Sequence, residues 1–307
     1  MKEQPFMNKR EINGRRFLAV TLLNATITVV EIIGGVVSGS LALLSDAFHN
    51  LGDSLSIVMG YVAQTISGRS ENSRRTFGYR RAEILSAFLN ALFLIVMSIF
   101  LIVEAIQRLE KPTHINGRVM LIVAVVGLIA NLLSAVLLHE GSHDSLNIKA
   151  TYLHVLSDSL SSVAVIIGAI ILMYVNVPWL DPLLTIAVAL YIAFEAWPII
   201  KKTIEILMQS APKLDYAAIE KDILAIDGVE NIHHIHAWSM DEHRIIFSAH
   251  INCQDMKISE CEQIYHQIEK LLTTKYNISH VTLQAECKRG QNEELFDTND
   301  DEIHLCQ

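Results

Sequence analysis

The sequence predicts an α-helical polytopic membrane protein: six transmembrane helices followed by a soluble α+β domain of order αββαβ. Three observations carry this prediction. Hydrophobic residues make up 51% of the 307 positions at a mean hydropathy of +0.34, and they collect in runs near the ~20 residues that a helix needs to cross a bilayer. From about Pro212 the apolar runs give way to the short periodicities of a soluble domain. Finally, two widely separated apolar runs carry the same word, H-x-L-x-D-S-L-S, once from His49 to Ser56 and once from His154 to Ser161.

Residues 1–16 form a basic N-terminal arm with Lys9, Arg10, Arg15 and Arg16. The spans follow at 17–37, 41–66, 84–106, 119–138, 150–175 and 183–200, making residues 17–209 the membrane domain. The first span contains Asn24 and Glu31 and has no A-x-A cleavage pattern, so it reads as a retained helix rather than a signal peptide. Arg69, Arg74, Arg75, Arg80 and Arg81 lie between the second and third spans, and Lys201 and Lys202 follow the sixth. By the bias of Lys and Arg towards the cytoplasm, these segments and both termini are expected there. Residues 210–287 then read as helix Tyr216–Ile226, strands Val229–Met240 and Arg244–Cys253, helix Ser259–Tyr276 and strand His280–Glu286. Ser259 and Glu262 are the expected capping box of that second helix. The acidic stretch 288–307 reads as a disordered tail.

The repeated word carries the chemistry. On a helix, a spacing of four puts His49 with Asp53, and His154 with Asp158, on one face. An Asp at the centre of a membrane helix costs about 2.5–3.5 kcal/mol, so such groups face a cavity or a partner. The two words lie on the second and fifth spans, three crossings apart, so their helices run antiparallel, as in inverted-repeat transporters with a midplane site. Together the four side chains make a tetrahedral set of two imidazoles and two carboxylates. Zinc accepts that set; magnesium, calcium and manganese prefer oxygen-rich shells of higher coordination, and copper(I) prefers sulfur. Cadmium and cobalt(II) remain alternatives. Structural zinc is also four-coordinate, but such sites usually recruit Cys. Asp46, seven residues before Asp53, lies on roughly the same face and is expected to line the ion pathway or to hydrogen-bond a ligand His.

At these residues the chain resembles the cation diffusion facilitator family, the membrane zinc transporters, over about residues 17–287. The resemblance rests on Ser40-Leu41-Ala42-Leu43-Leu44-Ser45-Asp46 leading into His49 and Asp53, on Thr76-Phe77-Gly78-Tyr79-Arg80-Arg81-Ala82-Glu83, on His154 and Asp158, and on His233-His234-Ile235-His236-Ala237-Trp238-Ser239. It implies a cytoplasmic metallochaperone-like domain, homodimers, and export of zinc, with cadmium and cobalt as further cargo, in exchange for protons across the cell membrane. It also implies His49, Asp53, His154 and Asp158 as the transport ligands. His233 and His250 match cytoplasmic metal ligands of the family, while Gln284 and Glu286 stand at two further such positions. His233, His250 and Glu286 are therefore the expected cytoplasmic site, with His234 and His236 sharing one strand face and His233 on the other. The loop site of some members is expected to be absent, since no His or Asp occurs between Gln64 and Glu83.

Several function classes fall away. A net charge of −9 gives no reason to invoke nucleic acid, and no phosphate-binding loop points to ATP as the energy source. No cofactor is expected, zinc being cargo or a regulatory ligand. The alternatives to secondary transport are a membrane metal receptor and an intramembrane metallohydrolase, the latter needing an open metal position and a general base. Cys253, Cys261, Cys287 and Cys306 have no C-x-x-C spacing and are expected to be reduced.

Overall fold

The computed structural model describes residues 4–142, 146–175 and 177–296, with side chains from Val20 onward apart from 138, 140–151 and 154. Six long helices come first: α1 Gln4–Ser38, α2 Leu41–Ser67, α3 Arg81–Glu110, α4 Gly117–Ser142, α5 Leu146–Tyr174 and α6 Leu180–Leu207. Most of the arm expected at 1–16 is thus continuous with α1, which begins at Gln4. Five stretches among the described residues are long and apolar enough to cross a membrane. Helix α2 is the sixth span and falls short by composition, because Asp46, His49, Asn50 and Asp53 interrupt its apolar run.

The chain divides into two units, one running through Thr65 and resuming at Leu85–Lys201, the other comprising Ile66–Ile84 and the residues from Lys202 on. In the first, Leu43 of α2 packs with Met120 and Ala124 of α4 and Val165 and Ala169 of α5. Leu41 of the same helix packs with Leu101 and Ala105 of α3 and Ala189 of α6. Helix α2 therefore sits between two sets of helices. Its start is held by a residue that precedes the sixth span expected at 183–200. Asp181, fully buried at the start of α6, accepts hydrogen bonds from the backbone N–H of Leu41 at 2.9 Å and Ala42 at 3.3 Å, and from the Ser40 hydroxyl at 2.5 Å. Ser40 takes the next two N–H groups, Leu43 on its Oγ and Leu44 on its carbonyl. With the Ser40 N–H donating to Ser38 Oγ at 3.3 Å, the four N–H groups from Ser40 to Leu43 that the helix start leaves unpaired are all satisfied, and the carboxylate faces the positive end of the helix dipole.

The second unit contains α7 Tyr216–Leu224, β1 Val229–Ser239, β2 Ile245–Cys253, α8 Ile258–Tyr276 and β3 His280–Glu286, the expected αββαβ order. The sheet runs β1-β2-β3, antiparallel between the first two strands and parallel between the last two. Ile219 and Ile223 of α7 and Ile264, Ile268 and Leu272 of α8 cover one face, packing on Ile232, Ile235, Phe247 and Ile251. Asp215 caps α7 through the Ala218 N–H. The cap of α8 lies two residues before the expected Ser259–Glu262 pair: the Glu260 carboxylate reaches back to the Lys257 N–H at 3.0 Å.

The tail differs from expectation over its first residues. Asn252 donates to the Arg289 carbonyl at 2.7 Å, the Ile235 N–H to the Leu295 carbonyl at 3.1 Å, and Phe296 packs edge-on against Tyr216. Residues 289–296 lie on the domain because Leu295 and Phe296 supply apolar surface that the acidic composition concealed. Residues 297–307, including Cys306, lie outside the described residues.

Candidate metal centre

Among the described residues, two groups of side chains bring three metal-ligating atoms within 4.8 Å of one another: His49, Asp53 and Asp158, and His233, His250 and Glu286. The first lies between α2 and α5. His49 Nε2 is 3.3 Å from Asp158 Oδ1 and 3.8 Å from Asp53 Oδ2. His49 and Asp158 are buried, Asp53 half-buried. The helical spacing accounts for His49 and Asp53 sharing a face; packing of α5 on the same side brings in Asp158. His154 stands one turn before Asp158 in α5, but its side chain lies outside the described residues. Helix α3 approaches closely here, since a Cβ on Gly52 would stand 2.5 Å from Leu94 Cδ2. A side chain at this position would require Leu94 to shift.

Asp46 is buried on the same side of α2 and accepts from the hydroxyls of Ser161 at 2.6 Å and Ser162 at 3.2 Å. Asp46 thus hydrogen-bonds to serines of α5. Ser161 ends the repeated word, a signal that sequence reading could have used to find it. Glu31 of α1, 1% exposed, accepts from Asn50 at 2.8 Å. The sequence places Glu31 in the first span, and only the packing shows that its partner is the residue next to His49.

The second group is built by strand register. His233 on β1 lies opposite His250 on β2, and β3 ends beside them at Glu286. His250 Nδ1 is 3.3 Å from Glu286 Oε1, and His233 Nε2 is 3.4 Å from Glu286 Oε2 and 3.6 Å from a carboxylate oxygen of Glu293. His233 is fully buried, yet neither ring nitrogen makes a hydrogen bond among the described residues. Gly290, at φ +69°, passes so close that a Cβ would lie 2.1 Å from His233 Nε2. Burial holds the His250 pKa below its ordinary value against the opposing pull of Glu286, with His234, His233 and Arg289 adding repulsion. A neutral imidazole is the form that binds a metal. The donor set, two imidazoles and a carboxylate, fits zinc.

The expected sharing of one face by His234 and His236 stands, whereas the expected separation of His233 from them is overturned. His233 and His236 pair with His250 and Ser248, three steps on β1 against two on β2, so β1 carries a bulge. The extra residue shifts the alternation. His250 consequently touches both His233 and His234, with ring centroids 5.4 and 4.8 Å away.

A family model described as the cation efflux transmembrane domain matches residues 17–208, and one described as the cation efflux protein cytoplasmic domain matches 211–288. The chain is 40% identical over 280 residues to zinc transporter ZitB of Pectobacterium atrosepticum, covering 90% of this chain and 87% of the relative. It is 35% identical over 291 residues to the metal cation efflux system protein CzcD of Cupriavidus metallidurans, covering 94% and 92%. It is 37% identical over 305 residues to a cadmium, cobalt and zinc/H(+)-K(+) antiporter of Bacillus subtilis, covering 98% and 95%.

Proposed function

The chain belongs to the cation efflux family, and on that premise we propose that it exports divalent metal, chiefly zinc, from the cytoplasm in exchange for protons. As a member of a transporter family it is a carrier rather than the hydrolase weighed above. The observation that carries the reading is the convergence of His49, Asp53 and Asp158 between two membrane helices. His154, one turn from Asp158, is the proposed fourth ligand. Asp46 is proposed to line the ion pathway, its carboxylate fixed by Ser161 and Ser162.

Proton coupling follows from charge. Binding zinc needs neutral imidazoles and ionised carboxylates, so the four ligands offer two negative charges that zinc neutralises. Emptied of metal, two carboxylates close together in a low-dielectric site favour proton uptake. Protons entering from outside would displace zinc there, and their loss to the cytoplasm would restore the ligands, at roughly one or two protons per zinc. His233, His250 and Glu286 are proposed as a cytoplasmic regulatory zinc site. Metal there alters transport only to the extent that it binds the inward- and outward-facing states differently. A homodimer in the cell membrane with both termini cytoplasmic is proposed, and the match of residues 211–288 to a cytoplasmic-domain model supports the side given to the C-terminal domain.

The test is zinc flux in sealed proteoliposomes with an imposed pH gradient and an internal pH dye. Zinc movement that drives proton counterflow is expected; flux that ignores the gradient and moves no protons sinks the antiport reading. The name of the Bacillus relative includes potassium, so a second arm imposes a potassium gradient at equal pH.

A further inference from the structure

His234 and His236 are not used by either cluster above. Side chains two apart on a regular strand are separated by about 6.6 Å along the chain, yet the Nε2 atoms of His234 and His236 are 3.1 Å apart, with ring centroids 4.7 Å apart and the rings edge to face. The backbone supplies the cause. His234 lies in the bulge of β1 at φ 51°, the left-handed region that a side chain with a Cβ seldom occupies. Such outliers persist where the surroundings over-determine them, and they cluster at functional sites. One face of the His234 ring stacks on His250 at 28° between planes, while His236 is exposed. The pair is thus braced on one side and open on the other.

The separation matches a known geometry. Two imidazole nitrogens bound to one tetrahedral zinc at about 2.0–2.1 Å stand about 3.3 Å apart. A hydrogen bond at 3.1 Å needs one Nε2 protonated and the other bare, the same arrangement with a proton where the cation would sit.

We propose that His234 and His236 form a second, solvent-open site on the soluble domain for a borderline divalent cation of the zinc type, with water completing its shell. The two imidazole nitrogens select against magnesium and calcium, which prefer oxygen, and against copper(I), which prefers sulfur. With two protein ligands the site is weaker than the buried cluster and exchanges its ion with solvent. It does not depend on the regulatory reading: it stands even if His233, His250 and Glu286 bind nothing.

The experiment is zinc titration by calorimetry of the full chain in detergent, alongside His236→Ala, His236→Cys and Glu286→Gln. The parent should show a weak class of about one equivalent per chain, untouched by excess magnesium. His236→Ala should lose that class while the tighter ones shift by less than about threefold. His236→Cys should restore it, because thiolate also ligates zinc, and Glu286→Gln should weaken only a tighter class. A parent without the weak class, a His236→Ala chain that keeps it, or a His236→Cys chain that does not regain it each overturns the proposal. Zinc protection of His234 and His236 against diethyl pyrocarbonate, read by peptide mass spectrometry, tests the parent without substitution. Equal labelling with and without zinc also overturns it.

Discussion

The two three-residue clusters use similar ligands in opposite mechanical settings. In the membrane, one imidazole meets two carboxylates across the α2–α5 interface, and no backbone hydrogen bond joins the two helices there in a ladder. In the soluble domain, two imidazoles meet one carboxylate on adjacent strands whose backbones are paired through that region. Small sliding or tilting of packed helices can open the first site, whereas opening the second requires breaking a sheet. A ligand set that must load and unload is better placed between helices, and one that must hold its shape between strands. The difference also concerns charge: the membrane cluster holds two carboxylates, whereas the sheet cluster holds one, whose Oε1 is flanked by His250, Gln284 and Arg289 and whose Oε2 faces His233 without a hydrogen bond among the described residues.

The largest effect should come from breaking the membrane site. Asp53→Ala or Asp158→Ala should each lower zinc flux by about 100-fold or more, since an incomplete ligand set costs at least what loss of a supporting partner does. Both chains should still insert and elute as the parent does. Wild-type flux from both would remove these residues from the ligand set. His49→Asp should instead shift the relative rates towards manganese, as oxygen replaces nitrogen.

Glu286→Gln asks whether the other cluster is separate. Zinc affinity of the soluble-domain site should fall about 10–100-fold, while flux at saturating zinc changes only a few-fold. A flux loss as large as that of Asp53→Ala would mean that the sheet cluster lies on the transport path itself.

Asp181→Ala tests whether the mobile setting needs a fixed end. Removing the carboxylate leaves the first N–H groups of α2 buried without partners, at a cost of about 1–3 kcal/mol. Thermal stability in detergent should fall and flux with it, with zinc affinity of the soluble domain unchanged. An unaltered melting profile would show that α2 is anchored elsewhere.

The smallest effect belongs to a surface contact in the static region. Hydrogen bonds from Lys275 and then Tyr276 hold the Asp222 pKa below the ordinary carboxylate range, tying α7 to α8. A depressed folded pKa gives stability that is present above the unfolded value of about 3.9 and lost as pH falls through the folded one. Asp222→Asn should therefore lower the melting temperature by a few degrees at most at pH 7, with the difference vanishing well below pH 3.9. A difference that persists in acid would assign the contact to packing.

The membrane helices and the candidate site residues on them were legible in the sequence because both signals are local. Hydropathy accumulates along a single run, and i, i+4 spacing fixes a helix face regardless of neighbours. His49 with Asp53 needed nothing more, and the repetition of the word pointed to Asp158. The αββαβ order was legible for the same reason, strand by strand. Tertiary structure alone decided that Asp181 caps a helix 140 residues away, that Glu31 reaches Asn50, and that residues 289–296 fold back over His233. It also decided the histidine arrangement. Alternation pairs His234 with His236 and holds His233 apart, and a single extra residue in β1 keeps the pair but brings His233 and His234 together against His250. The register of a strand is fixed by its partner, so a bulge that no local propensity announces can gather side chains that the sequence, read alone, holds apart.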